Sequence, residues 1–112
     1  MKTAEQLAAL QLTHYNNHDL ENFLAVYTDD VEVYDLETGV MRYKGKDIMR
    51  ERYAGRFAEG TVHAALVNRM IIGNKAIDHE HVTGIPGKDM VEAVAIYLTK
   101  GDLIEKVWFL HE

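Results

Sequence analysis

The chain has 112 residues, 47% of them hydrophobic and 27% charged, and twelve Lys and Arg against eighteen Asp and Glu give a net charge of −6. That length and apolar share suit one globular core over residues 1–112 and exclude a disordered chain, and the acidic balance argues against nucleic acid or an anionic membrane as partner. With no cysteine in the sequence, a disulfide scaffold, a thiol nucleophile and a Cys-based zinc site are ruled out.

In chain order, Thr3-Ala-Glu-Gln6 fits a capping box, so a helix is expected to begin near Ala4. Leu7, Leu10, Gln11, His14 and Tyr15 keep the spacing of one helix face. Asn16-Asn17-His18 breaks that helix and Asp19 can cap the next, whose stripe reads Leu20, Phe23, Leu24 and Tyr27 before Asp29-Asp30 closes it. Val31 to Asp35 alternates like a short strand, and Gly39 and Gly45 bracket a loop or hairpin. Met49, Tyr53 and Phe57 mark a helix over Lys46 to Glu59, with Gly60 as its stop.

Beyond Gly60 the pattern is that of strands: Val62–Ile72, a Gly73-Asn74 turn, Lys75–Thr83, a Pro86-Gly87 turn, Met90–Thr99, a Lys100-Gly-Asp102 turn, and Leu103–Leu110. Helices followed by an antiparallel meander imply an α+β fold, with the helices packed on one face of a curved sheet. No apolar run approaches the roughly 20 residues of a bilayer span. The N-terminus lacks a secretory core and cleavage site, so a soluble, cytoplasmic protein is expected.

The Gly73-Asn74 hairpin also sets a register. Pairing Ile72 with Lys75 puts Arg69 opposite Asp78, on a face shared by Val67 and Ile71 with Ala76, Glu80 and Val82. Three charges among apolar residues on a concave face would be partly desolvated, which moves carboxyl pKa values and favours acid–base work; the alternative is a solvent-side cross-strand ion pair. His79 and His81, two apart on a strand, share the other face. Two imidazoles without a third ligand at motif spacing do not close a metal site, so none is expected. Asp35 ends a strand before a glycine-containing loop, where it can be a base at a cavity mouth or an ordinary turn residue. Tyr15, Tyr34, Tyr53, Phe57 and Trp108 are candidates for an aromatic pocket or plain core, and a pocket tyrosine can donate its hydroxyl to an oxyanion.

Several strings resemble a known group: His18-Asp-Leu-Glu21, Tyr27-Thr-Asp-Asp30 with Val-Glu-Val-Tyr-Asp35, Tyr43-Lys-Gly-Lys-Asp47 leading to Tyr53, Val94-Ala-Ile-Tyr97, and Lys100-Gly-Asp-Leu103 with Val107-Trp108. The chain resembles the nuclear transport factor 2-like superfamily, nearest its SnoaL-like polyketide cyclase and steroid Δ-isomerase branch. The resemblance implies a cone-shaped roll, a curved antiparallel sheet wrapped around helices with a pocket at one end, and a homodimer through the outer sheet face.

Carried over by position, the isomerase pattern puts its proton-shuttling aspartate at Asp35 and its supporting tyrosine at Tyr53. Gln11 stands where that pattern has an oxyanion tyrosine, and Val94 or Ala95 where it has a protonated aspartate. An amide is a weaker oxyanion donor than a phenol beside a neutral carboxylic acid, so ketosteroid isomerisation itself is not expected. Arg69, Asp78 and Glu80 loosely resemble the charged strand residues of limonene epoxide hydrolases, at a different spacing.

The leading expectation is therefore a small-molecule pocket working by cofactor-independent acid–base chemistry on a small apolar or carbonyl-containing compound. Asp35, Tyr53, Asp78 and Glu80 are the catalytic candidates, and Gln11, Tyr15, Tyr34, Phe57, Arg69, Val94 and Trp108 the pocket candidates. A binder without turnover and a dimeric interaction domain are the alternatives.

Overall fold

The computed structural model describes residues 1–111. Helix α1 (Ala4–Asn16) starts at the expected box: the Thr3 hydroxyl accepts from the Gln6 amide at 3.1 Å, and the Gln6 side chain accepts from the Thr3 amide at 2.9 Å. It ends where the asparagines predicted, and they also anchor it. The Asn16 side chain donates to the Ala64 carbonyl and accepts from the Ala64 amide, while a ring nitrogen of His18 lies 2.7 Å from the Val62 carbonyl. The helix end is thereby tied to the start of the strand it packs against.

Asp19 caps α2 (Leu20–Leu24) as expected, but the helix is shorter than its apolar spacing suggested. Tyr27 opens strand β1 (Tyr27–Asp35) instead of closing a helical stripe. The physical reason is long-range: the Val26 carbonyl accepts from the amide of Ile104 at 2.9 Å, and Tyr27 pairs with Ile104, so tertiary pairing outweighs helical periodicity. The short strand β2 (Met41–Lys44) pairs with β1. Helix α3 (Lys46–Glu59) buries Met49 and Phe57 and stops at Gly60, whose φ of 69° is the left-handed conformation that glycine adopts without strain.

Strands β3 (His63–Ile72), β4 (Lys75–Thr83), β5 (Val91–Lys100) and β6 (Leu103–His111) form the expected meander. The six strands make one sheet in the order β2-β1-β6-β5-β4-β3. It is antiparallel except at the second junction from the β2 edge, where β1 lies parallel to β6. Turn chemistry announces hairpins, whereas this pair joins strands far apart in sequence and has no local signal. Gly84, just past β4, holds the sheet's end closed: a Cβ there would sit 1.9 Å from the Thr61 carbonyl oxygen.

The Gly73-Asn74 register holds, with Ile72 opposite Lys75 and Arg69 opposite Asp78. It breaks at Val67, which is the extra residue of a bulge between Leu66 and Asn68. Leu66, not Val67, stands opposite Glu80, and Val67 is half exposed. The helices cover the face that this register shares between Asp78 and Arg69, so Ala76, Asp78, Glu80 and Val82 are all buried.

Candidate functional site

Five aromatic rings, Tyr15, Phe23, Tyr27, Tyr53 and Phe57, pack edge and tilt between the helices and the concave sheet face, with the Phe23 and Tyr53 centroids 4.7 Å apart. They do not fill the space. A cavity of about 90 Å³ remains between Gln11 and Tyr15 of α1, Tyr53 of α3, and Glu80 and Tyr97 of the sheet. A second chamber of about 120 Å³ adjoins it, sharing Tyr53, Arg56, Phe109 and His111, and is walled by Tyr43, Arg42 and Arg52.

Two carboxyls of β4 sit on this concave face and are treated differently. Asp78 is fully buried and takes both hydrogen bonds of the Arg69 guanidinium, Nε at 2.7 Å and Nη2 at 2.9 Å. That bidentate pairing fixes the pair in place and leaves it outside both chambers. Glu80, two residues on, is 7% exposed and lines the inner chamber. Burial first, and the neighbouring Asp78 charge second, push its carboxyl from the usual 4.5 up to about 7, with Arg69 pulling the other way. A carboxyl poised near neutrality can both take and return a proton.

Around it stand phenols that stay protonated. Burial raises the pKa of Tyr15, Tyr27, Tyr53 and Tyr97, and the Glu80 charge raises each of them further. All four border the inner chamber, where a protonated phenol can donate a hydrogen bond. Gln11 is buried on the wall, where its amide donates to the Ala8 carbonyl at 3.1 Å. Sequence reasoning passed over Tyr27 and Tyr97. Their signal was register: Ala76 pairs with Tyr97, which puts that ring on the Asp78 face.

The structure separates the remaining candidates. Phe57 is buried behind the wall, 5.4 Å from the Tyr15 ring centroid. Asp35 ends β1 as expected, but its carboxylate accepts from the Glu37 amide at 3.0 Å, an arrangement of turn type, and it lines neither chamber. Tyr34, Val94 and Trp108 lie on the opposite, convex face. Their alternation neighbours Val33, Ala95 and Val107 are the buried ones, and Tyr34 stacks on Trp108 at 5.7 Å. For Trp108 the cause is strand parity, since Val107 already holds the inward position next to it.

The convex face carries the two histidines expected there, together with a partner that sequence spacing could not reveal. Glu92 of β5 pairs with His81 in the ladder, and its carboxylate lies 2.6 Å from His79 Nε2 and 3.5 Å from His81 Nε2. Two imidazoles and a carboxylate with donor atoms all within 4.8 Å are a donor set suited to a zinc-type ion with a water as fourth ligand. As it stands, the group is satisfied by hydrogen bonding between the Glu92 carboxylate and the two rings. Its histidine hydrogen bonds hold the Glu92 carboxyl below its usual range.

With this geometry in hand, known proteins supply the context. Residues 8–107 match the SnoaL-like domain family. The chain belongs to that family. No curated protein matches it. Among solved structures, a cystatin-fold protein from Novosphingobium aromaticivorans is similar at 25% identity and a TM-score of 0.87, over 98% of this chain and 99% of that one. A candidate ketosteroid isomerase from Kribbella flavida is similar at 17% identity and a TM-score of 0.78, over 97% and 77%. A candidate polyketide cyclase from Sinorhizobium meliloti is similar at 16% identity and a TM-score of 0.76, over 93% of each chain. The last two show the shared fold alone. This SnoaL-like chain thus has the cystatin-like, nuclear transport factor 2-like α+β architecture that its sequence resembled, and among the described residues no helix is long and apolar enough to cross a membrane.

Proposed function

We propose that this SnoaL-like domain transfers protons on a small, largely apolar carbonyl compound, with Glu80 as the base. The observation that carries the reading is the Glu80 carboxyl: buried, bordering the inner chamber, pushed up to about 7, and not committed to the Arg69 guanidinium that holds Asp78. In the step envisaged, the Glu80 carboxylate removes a proton from the carbon α to the carbonyl. The C–H electron pair moves into the enolate, whose oxygen takes a hydrogen bond from a cavity phenol such as Tyr53, and the Glu80 acid returns the proton to the same or another carbon. Asp78 and Arg69 position β4, and Asp35 holds its turn.

The test is deuterium exchange at the α-carbon of small ketones in heavy water, followed by NMR. Wild-type protein is expected to exchange them, and Glu80→Gln to lose about 10²–10⁴ in rate while keeping its circular dichroism. Exchange unchanged in Glu80→Gln overturns the assignment of the base. Binding without exchange in the wild-type protein means a ligand-binding domain without turnover.

For the assembly we propose a homodimer through the convex face, favoured by the apolar side chains exposed there. Met70 is 50% exposed, and with Ile77, Val94 and Leu110 it lines a shallow depression beside His79 and Glu92. Ile77→Glu is expected to give monomers by light scattering; a wild-type protein that is already monomeric overturns this.

A further inference from the structure

The chain has five arginines, and they fall into two groups. Arg50 is paired with Glu21 and Arg69 with Asp78. The other three, Arg42 on β2 and Arg52 and Arg56 four residues apart on α3, converge on the outer chamber with His111. None of these three meets a carboxylate among the described residues, although acidic residues outnumber basic ones eighteen to twelve in the chain.

Aromatic rings hold two of the three in place. The Arg52 guanidinium lies 4.5 Å over the Tyr43 ring and that of Arg56 lies 5.5 Å from the Tyr53 centroid, with Nη1 of Arg56 3.5 Å from the Tyr15 hydroxyl. Stacking of this kind orients a guanidinium while leaving its N–H fork free to bind. The field is consistent with this placement. His111 is held below its ordinary pKa by burial and then by the charge of Arg42, with Asp35 opposing and Lys88 and Arg56 adding to the lowering.

We infer that this mouth is an anion subsite, and that the compound admitted to the inner chamber carries a carboxylate held by Arg42, Arg52 and Arg56. The two chambers share Tyr53, Arg56, Phe109 and His111, so one molecule can span them with its anionic end at the arginines and its apolar carbonyl portion toward Glu80. That orientation rests on the proton-transfer reading above; the subsite itself does not. A planar carboxylate matches the guanidinium fork, and short keto acids are the class that combines it with an enolisable carbonyl.

The experiment compares two compounds of nearly equal shape, 4-methyl-2-oxopentanoate and 4-methylpentan-2-one, in which a methyl replaces the carboxylate. Binding is followed by ligand-observed NMR titration and α-exchange in heavy water. The keto acid is expected to bind at least about tenfold more tightly, a difference of about 1.4 kcal/mol. The preference should shrink as salt rises. Arg42→Gln, Arg52→Gln and Arg56→Gln should each weaken keto-acid binding several-fold, and the first two, which lie outside the inner chamber, should leave the ketone unmoved, with Arg52→Lys intermediate because it keeps charge but loses the fork.

Equal binding of the two compounds, binding of neither at millimolar concentration, or a preference that survives the triple Gln variant overturns the subsite. Inorganic phosphate at millimolar concentration that displaces the keto acid, with isobutyl phosphate binding more tightly than the keto acid, overturns the carboxylate assignment in favour of a phosphate. A keto-acid preference without exchange of either compound removes the proton-transfer reading and leaves the subsite standing. Exchange of both at equal affinity does the reverse.

Discussion

Strand β4 presents two chemistries on its two faces within four consecutive residues. On the concave side, Asp78 and Glu80 are buried among rings and helices; on the convex side, His79 and His81 meet Glu92 in the open. The same residue type responds in opposite directions. Burial pushes Glu80 up to about 7, whereas hydrogen bonds from His79 and His81 hold Glu92 low at the surface. A carboxyl is thus set by what surrounds it rather than by its position in the chain, and the concave face is where such settings are strong enough to alter stability and reactivity.

The largest effect should come from breaking the buried pair that separates the two concave carboxyls. Arg69→Ala leaves the fully buried Asp78 without its two hydrogen bonds, and unfolding in urea should show a loss of about 3–5 kcal/mol. The double variant Arg69→Met with Asp78→Leu should recover most of it, because an apolar pair needs no compensation. A double variant as unstable as Arg69→Ala would mean that the pair is required for packing geometry and not merely satisfied there.

Next in size is the pH response of Glu80. Its folded pKa of about 7 lies above the ordinary 4.5, so between those values the folded state binds more protons than the unfolded one and stability falls as pH rises. The shift corresponds to roughly 3 kcal/mol across that window. Glu80→Gln should match the wild-type trend near pH 4 and gain by about that amount relative to it by pH 8, measured by urea midpoints at each pH. Proton abstraction by the same carboxylate should increase with pH through about 7. Parallel stability profiles in wild type and variant would show that the Glu80 side chain is better solvated than its 7% exposure indicates.

How much of this contrast was legible in the sequence follows from the range of each cause. Capping at Thr3, the stop at Gly60 and the Gly73-Asn74 register are local, and all three are present in the structure. The register alone placed Arg69 opposite Asp78 and Glu80 on the same side. Alternation could not show that Val67 is spent in a bulge, that β1 lies parallel to β6, or that Tyr27 belongs to a strand, since each depends on a partner distant in the chain. For the same reason the meeting of Arg42 on β2 with Arg52 and Arg56 on α3, and the Glu92 partner of the histidines, were invisible: each brings together residues of different elements. Trp108 was misplaced by size, since a large aromatic draws the eye to the core while parity assigns the inward position to Val107.

The smallest effect belongs to the convex face, and its smallness is the point. Glu92→Gln removes the carboxylate that both His79 and His81 approach, yet all three side chains are more than a third exposed, and water replaces lost hydrogen bonds there at little cost. The thermal midpoint should therefore move far less than in Arg69→Ala, and added salt should erase what difference remains, because exposed charges are screened within about 10 Å at 0.1 M. A midpoint drop comparable to that of Arg69→Ala, insensitive to salt, would show that Glu92 is desolvated in solution. On a sheet face bearing Met70, Ile77 and Val94, the second copy proposed above is what would cover it, so a drop that depends on protein concentration would place Glu92 inside that interface.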